Sequence, residues 1–330
     1  HCHQLLRAGR MNMRIATVIQ MSCTIALLSY ACPDASGQSS RDKAGTLREP
    51  IDIVMDASPG MTVVLRHTFG DINVSSGSVD TVHIVGEKRV AGNDPVIVAD
   101  FMKLTDLKVE KKGKEIVVET RYPNDEMKER DRKKITSFSI TYEIVVPNNT
   151  VLDVRNEFGN IVIGPVTGSA KVTNGFGKVA ARDIEGPLEI NNKFGGIKAE
   201  NIIGTLRLGN EHGGVVAMDI TGDLTVSTSF STVDVTTVSG NADVRVAHGK
   251  VVARDIGGSA DIETSYSPLE CRNVGKGATL RNAHGSVTAD TIGGITEITT
   301  KFGETDIRSI NGDLTVINEH GAVKADDVDG

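Results

Sequence analysis

The sequence predicts an all-β fold, a single-chain β-solenoid whose coils are 18 residues long. Two consecutive segments, TNGFGKVAARDIEGPLEI (173–190) and NNKFGGIKAENIIGTLRL (191–208), are nearly the same. A composition of 35 Gly, no Trp and 4% aromatic residues favours many short strands joined by tight turns. A period near 20 that carries two short alternating segments is typical of a solenoid in which each repeat is one coil. One flat ring also recurs every 18 residues, at Phe158, Phe176, Phe194, His212, Phe230, His248, Tyr266, His284, Phe302 and His320.

Each unit contains apolar positions that recur in register from coil to coil. In one unit they are Val179, Ala181 and Ile184 of a first strand and Ile190 of a second. Side chains two apart on a strand point the same way, so these columns are expected to line one interior. The second strand continues into an Asn column, and two residues later into the ring column. We therefore expect the rings to form a continuous structural ladder inside the solenoid. The Asn column is Asn156, Asn174, Asn192, Asn210, Asn282 and Asn318.

The period of 18 also equals three hexapeptides, the repeat of the left-handed hexapeptide helix. That fold needs a small aliphatic residue in all three hexapeptides. The third column here fails the requirement, because it reads Lys178, Gly196, Gly214, Thr232, Lys250 and Pro268. A right-handed or flattened two-sheet solenoid is favoured instead.

The N-terminal segment predicts export. Residues 1–10 precede the first candidate start at Met11 or Met13, and Arg14 then flanks an apolar stretch at 15–31. Polar residues interrupt that stretch, which is shorter than the roughly 20 apolar residues that a membrane span requires. Ala35-Ser36-Gly37 provides a cleavage site before Gln38, so residues 1–37 are interpreted as upstream residues and a secretory signal peptide, with 38–50 as a linker.

Lipid attachment at Cys32 is the alternative to simple cleavage, although Ser29 stands where the lipoprotein motif has Leu. Either route places the chain in the periplasm, at the outer membrane or at the cell surface. Export leaves Cys271 as a lone thiol in the mature chain, without a disulfide framework.

Residues 51–139 are interpreted as an N-terminal coil with a capping insertion. MTVVLRHTFGDINV (61–74) fits the phase of a first coil. The insertion departs from the period and predicts a short helix within 94–108, a strand at 114–122 and a charged loop at 124–134. Such a small α+β insertion suits a cap, because an exposed first strand invites edge pairing. The repeats then run over 140–330 and stop in mid-coil, so we expect further sequence beyond Gly330.

At this point a family resemblance is evident. The unit N-x-F-G-x-V-x-A-x-D-I-x-G-x-L-x-I, together with the first coil and the return through ITYEIVVPNNTVLDVRNEFGNI (140–161), resembles the bacterial putative-adhesin family of β-solenoid repeats. The resemblance covers about residues 51–330. It implies a right-handed β-solenoid at the cell envelope and no established activity.

The chemistry-bearing residues favour a structural interpretation. A net charge of −7 with interspersed signs argues against nucleic acid as a partner. Histidines occur only on alternate coils, roughly 10 Å apart, which is too far for two of them to share a zinc ion. Cys271 lies in a column otherwise filled mainly by Ala, and a small buried thiol is expected there.

The strongest enzymatic alternative is a polysaccharide lyase, since β-helical lyases combine acidic calcium ligands with an Arg base. Carboxylates on adjacent coils could hold calcium, but alternating charges on a sheet normally form solvated ion pairs. The residues concerned are Asp243, Asp261, Glu263, Arg245, Arg281, Arg254 and Arg272.

The sequence therefore predicts a non-enzymatic binding or scaffold surface of the cell envelope, with no catalytic residue, cofactor or metal site. The partner would be an envelope protein or polysaccharide. A lyase-like enzyme and a passive structural spacer stand as the alternatives.

Overall fold

Two parallel sheets form the walls of the solenoid, as the repeat predicts. The computed structural model describes residues 40–41, 45–123 and 126–329; the predicted signal peptide and Cys32 lie outside them. The N-terminal elements are β1 Ser40–Arg41, β2 Thr46–Asp56, β3 Thr62–Arg66, β4 Ile72–Gly77, β5 Thr81–Gly92, α1 Pro95–Leu104, β6 Asp106–Lys112, β7 Glu115–Arg121, α2 Glu129–Arg132 and β8 Ile135–Pro147.

The coils then supply two strands each. The strands of the first sheet are β10 Ile161–Ile163, β11 Val166–Thr167, β13 Val179–Glu185, β15 Ile197–Ile203, β17 Val215–Thr221, β19 Val233–Val238, β21 Val251–Ile256, β23 Leu269–Val274, β25 Val287–Ile292, β27 Thr305–Asn311 and β29 Val323–Asp329. Those of the second sheet are β9 Val151–Phe158, β12 Ala170–Phe176, β14 Leu188–Phe194, β16 Leu206–His212, β18 Leu224–Phe230, β20 Ala242–His248, β22 Ala260–Thr264, β24 Ala278–His284, β26 Thr296–Phe302 and β28 Leu314–His320.

The strand register confirms the coil length of 18. In the first sheet Val179 pairs with Ile197, and in the second Val172 pairs with Ile190, in both cases with parallel strands. Glycines make the corners: Gly177 has φ +131° and Gly186 has φ +146°. A Cβ on Gly177 would lie 2.1 Å from the carbonyl oxygen of Gly159 in the preceding coil, so a larger residue there would push the coils apart.

The interior is lined by the predicted apolar columns, whose spacing changes from two residues to three. Val179, Ala181 and Ile184 are all buried, although alternation alone would turn Ile184 outward. The backbone solves this at Asp183, which has φ +56° and takes no part in the strand pairing. Such a break occurs in every coil from there to the end of β29, at Asp183, Asn201, Asp219, Thr237, Asp255, Asn273, Thr291, Ser309 and Asp327. Asp and Asn tolerate this left-handed conformation better than other non-glycine residues, and this bulge column is accordingly mostly Asp and Asn.

A second break overturns the expected placement of the rings. The Asn side chains are buried as expected; Asn174 is 1% exposed. Between Asn192 and Phe194, however, Lys193 drops out of the pairing, because β14 pairs with its neighbours at Asn192 and Phe194 only. This bulge reverses the direction of the next side chain, and Phe194 is 40% exposed. The expectation of an interior ladder was wrong, because it extended strict alternation through a residue that interrupts it.

The N-terminal insertion covers the first coil, as predicted. β8 pairs with β4 and β7 pairs with β3, so the leading edges of both sheets are occupied. β5 and β2 continue antiparallel from β8, and β6 from β7. The predicted helix within 94–108 forms as α1 but ends at Leu104, while the expected charged loop contains the short helix α2. In the described part of the chain, no helix is long and apolar enough to cross a membrane.

A buried polar network fastens this cap to the first coil. Nε2 of His67 lies 2.9 Å from the carbonyl oxygen of Ile140, and Nδ1 lies 2.9 Å from Oγ1 of Thr120. Oγ1 of Thr120 is in turn 2.8 Å from the hydroxyl oxygen of Tyr142. Burial lowers the pKa of His67 to about 4, since charging an enclosed imidazole is costly. The neutral ring therefore joins β3 to β7 and β8.

Candidate functional site: an exposed aromatic ladder

The most regular surface feature is the stacked ring column along one corner of the solenoid. Successive rings from Phe158 to His320 lie 4.8–5.1 Å apart between centroids, with interplanar angles of 4° to 18°. Phe69 of the first coil extends the stack, 5.1 Å from Phe158. Tyr122 and Phe138 of the cap meet Phe69 edge-on and end the stack on that side. We call the column from Phe158 to His320 the aromatic ladder.

Local structure explains why the rings stand in line. Each follows the bulge described above and precedes a corner, so its Cα lies one coil height from the next. The buried Asn ahead of the ring braces that corner: Nδ2 of Asn192 donates to the carbonyl oxygens of Gly177 and Gly195, at 3.1 and 3.0 Å. The hydrogen bonds link two successive corners and hold the ring spacing at the spacing of the strands.

The rings expose their edges and hide their faces. Phe158 is 40% exposed and Tyr266 58%, yet each inner ring is covered on both faces by its neighbours. A sugar ring stacks on an aromatic face, so this corner does not offer the usual platform for carbohydrate stacking. What it offers is a line of C–H edges, which carry the positive part of the ring quadrupole. The line suits apolar contact and contact with other ring edges.

The four histidines of the ladder are stacked members of it. His212 lies 4.9 Å from Phe194 and 5.1 Å from Phe230. Two such steps separate it from His248, which agrees with the sequence-based distance of roughly 10 Å. Among the described residues, no group of three or more His, Cys, Asp or Glu side chains is arranged to hold a metal ion.

The residues just ahead of the rings form the flank of the ladder. In the central coils they are small, namely Ser229, Ala247, Ser265 and Ala283. Toward the two ends they are charged and exposed, namely Lys193, Glu211, Lys301 and Glu319. None of these four charged side chains makes an ion pair within the described chain. The sequence analysis missed this flank; its signal was the position before each ring, which was taken as an ordinary outward residue.

The residues of the lyase alternative lie on the outer faces and are engaged with one another. Arg245 lies 2.8 Å from both Asp243 and Asp261 and 3.7 Å from Glu263, and Arg281 lies 2.9 Å from Asp261. The carboxylates that would bind calcium thus surround a guanidinium group. These contacts match the solvated ion pairs that the sequence favoured.

The other arginines of that alternative lie on the first sheet around Glu270. Arg254 and Arg272 approach its carboxylate at 3.8 and 4.0 Å, while Lys250 contacts it at 2.7 Å. The hydrogen bond from Lys250 holds the pKa of Glu270 below its usual range. This group too is an ion-pair cluster.

Cys271 is an interior residue. It is fully buried between Ala253 and Ala289 of the neighbouring coils. Burial raises the pKa of its thiol to about 12, so the thiolate is scarce at neutral pH.

The fold and the corner together define a β-solenoid that carries an exposed aromatic ladder. No protein-family model matches the chain, and no curated protein matches it. Among solved structures it is similar to a "putative lipid binding protein" from Parabacteroides distasonis, at 13% identity over 84% of this chain and 96% of that one, with a TM-score of 0.35. It is also similar to a "putative cell adhesion protein" from Clostridium sporogenes (12% identity, 84% and 98% covered, TM-score 0.22) and to a "putative adhesin" from Parabacteroides merdae (12%, 84% and 96%, TM-score 0.29). The solenoid itself is established by the strand register given above.

Proposed function

We propose that this protein is a non-enzymatic, adhesin-like binding or scaffold surface of the bacterial cell envelope. The observation that carries the proposal is the aromatic ladder, an exposed apolar line that runs through ten coils without a break. Contiguous exposed apolar surface is unusual on a soluble protein and generally marks a contact site. The ladder is suited to an extended partner, because it offers a similar contact at every coil and encloses no cavity.

Rigidity supports the same role. Each coil is hydrogen-bonded to its neighbours through both sheets, and the corners are joined by the Asn side chains. A surface held in this way loses little conformational entropy on binding. Many weak contacts in a row then add up, provided that the partner repeats its own contacts along its length.

Export is part of the proposal and has its own test. The motivation is the Arg14 flank, the apolar stretch and the Ala35-Ser36-Gly37 site. Mass spectrometry of the protein made in its source bacterium should find a mature chain that begins at Gln38, or at a lipid-bearing Cys32. A cytoplasmic chain that retains Met11 or Met13 would contradict export.

A binding assay tests the role of the ladder directly. Beads coated with the mature chain should retain envelope fragments from a strain that lacks the protein. Ser229→Glu and Ala247→Glu, made together, leave every ring in place but add charge beside the ladder, and should reduce retention about tenfold or more. Thr225→Glu with Thr299→Glu is the matched control, because both lie on the outer face of the second sheet, away from the ladder. Equal retention by the two double variants would refute the ladder as the binding site, and no retention by the unaltered chain would favour a passive spacer.

A further inference from the structure

The flank of the ladder carries a pattern of charge that the proposed function does not use. We number the coils 1 to 10 by their rings, from Phe158 to His320. The flank is negative in coil 1 (Glu157), positive then negative in coils 3 and 4 (Lys193, Glu211), and positive then negative again in coils 9 and 10 (Lys301, Glu319). Between these two charge pairs lie four coils with only Ser or Ala. The pattern is therefore complementary to its own reverse.

We infer that the partner of this corner is a second copy of the chain, lying antiparallel with its ladder against the first. The inference deepens the proposed function, because it names a partner for the same surface. In an antiparallel two-fold pair, the same flank of each chain faces the other, and each pairing occurs twice. With coil 3 opposite coil 10, Lys193 faces Glu319 of the second copy and Glu211 faces Lys301. All four charged side chains, unpaired within the described chain, then gain an opposite charge.

Neighbouring registers are worse. Full overlap sets Glu157 against Glu319, and a slide by one coil sets Lys193 against Lys301. A slide by three coils opposes Glu211 and Glu319. Like charges placed opposite one another select against a register, so the slide of two coils is preferred.

Sliding one coil in the other direction gives the remaining competitor. It matches Glu157 with Lys301, but leaves Lys193 and Glu211 facing uncharged residues. It also sets His212 opposite His248, whereas the preferred register sets every histidine opposite a Phe or Tyr ring. The preferred register thus satisfies more charges and avoids facing imidazoles.

The centre of the preferred register is shaped for close approach. Phe230 faces His284 there, and His248 faces Tyr266. Phe230 and Tyr266 are the most exposed rings of the ladder, at 54% and 58% for the six Phe and Tyr members. Because the flank beside them consists of Ser and Ala, no long side chain holds the two ladders apart. The ends of the overlap, by contrast, carry the charges that set the register.

The overlap of eight coils is about 40 Å long and about 10 Å wide, close to 400 Å² on each partner. This is below the size of a stable dimer interface, so we expect a weak pair with a dissociation constant of roughly 10 µM or higher. Weak antiparallel contacts of this kind suit many copies acting between two facing surfaces.

Sedimentation velocity over a concentration series tests the pairing with the purified mature chain. The unaltered chain should shift from monomer to dimer, and salt should weaken the dimer. Glu211→Lys replaces two attractions with two repulsions and should weaken association about tenfold. Adding Lys301→Glu to it restores opposite charges and should restore the dimer. Glu297→Lys makes the same charge change on an exposed part of the second sheet, and should associate like the unaltered chain.

A chain that stays monomeric up to roughly 500 µM would overturn the inference. So would a double charge swap that dimerises no better than Glu211→Lys alone. The envelope-binding assay above is independent of both results, because its fragments lack the protein. Loss of self-association with retained envelope binding refutes only the pairing, and the reverse refutes only the envelope role.

Crosslinking tests the antiparallel direction. Chains carrying Ala247→Cys, mixed with chains carrying Ser265→Cys, should be joined by a short bis-maleimide, because these positions face each other in the preferred register. Each variant alone should crosslink poorly, and buried Cys271 should not react. Efficient crosslinking of each variant with itself would indicate parallel chains and overturn the arrangement.

Discussion

Leu224 and Phe230 begin and end the same strand, β18, and face opposite sides of the wall. Leu224 is 1% exposed and Phe230 is 54% exposed. Replacing each by Ala and by Asp should therefore separate inside from outside. The informative quantity is the extra cost of Asp over Ala at each position, because it measures whether a charge at that position reaches water.

The expected magnitudes follow from these surroundings. Leu224→Ala should cost about 2–5 kcal/mol, and Leu224→Asp several kcal/mol more, since the charge would be enclosed without a partner. Phe230→Ala loses stacking on His212 and His248, at 5.1 and 5.0 Å. Each stacked contact contributes about 0.5–1.5 kcal/mol, so the cost should be about 1–3 kcal/mol. Phe230→Asp should lie within about 0.5 kcal/mol of Phe230→Ala.

Guanidinium denaturation followed by far-ultraviolet circular dichroism gives the global comparison for the four variants. Coils contact only their neighbours, so hydrogen exchange on peptides from β18 should also show where the damage lies. If Phe230→Asp cost several kcal/mol more than Phe230→Ala, the ring would be enclosed. The exposed ladder, and the proposals that depend on it, would then be wrong.

Three further predictions concern the backbone, the cap and the core. Thr237 is a β-branched residue at φ +58°, so Thr237→Asn should raise the free energy of unfolding by about 1 kcal/mol, whereas Thr236→Asn should give no gain; chemical denaturation of both variants is the check. The pKa of His67 is about 4 in the folded chain and 6.5 when unfolded, so its contribution is complete above pH 6.5 and is lost as the pH falls toward 4, by up to about 3 kcal/mol. Hydrogen exchange in the cap should show this loss, and His67→Gln should reduce it; an identical pH profile for both chains would contradict the role of the ring. Cys271→Ala should fold normally and cost less than about 1 kcal/mol, and rapid labelling of the native thiol would refute its burial.

Most of the fold could be predicted from the sequence because the repeat states one structural rule ten times. Apolar residues at Val179, Ala181 and Ile184 recur in every coil, and no other arrangement buries all of these columns at once. Even the left-handed residue at Asp183 left a trace, since a spacing of three within a strand requires a bulge. The capping role of the insertion followed from the need to cover an exposed edge.

The candidate site was predicted only in part. The alignment of the rings followed from their spacing, and the model confirms that they stack. Their direction did not follow, because Lys193 and its counterparts look like ordinary strand residues until the pairing shows that they drop out of it. The charge pattern of the flank became meaningful only once the flank was known to lie beside an exposed ladder.

The sequence by itself determined the coil length, the content of the core and the residue types at the corners, because these depend on periodicity and local backbone preference. Only the tertiary structure decided which way the rings point. A one-residue bulge reverses every side chain after it, and the same letters in the same order are compatible with either side of the wall. The side is set by the buried Asn192, whose amide group is bonded to the corners at Gly177 and Gly195 and leaves no room for the ring inside.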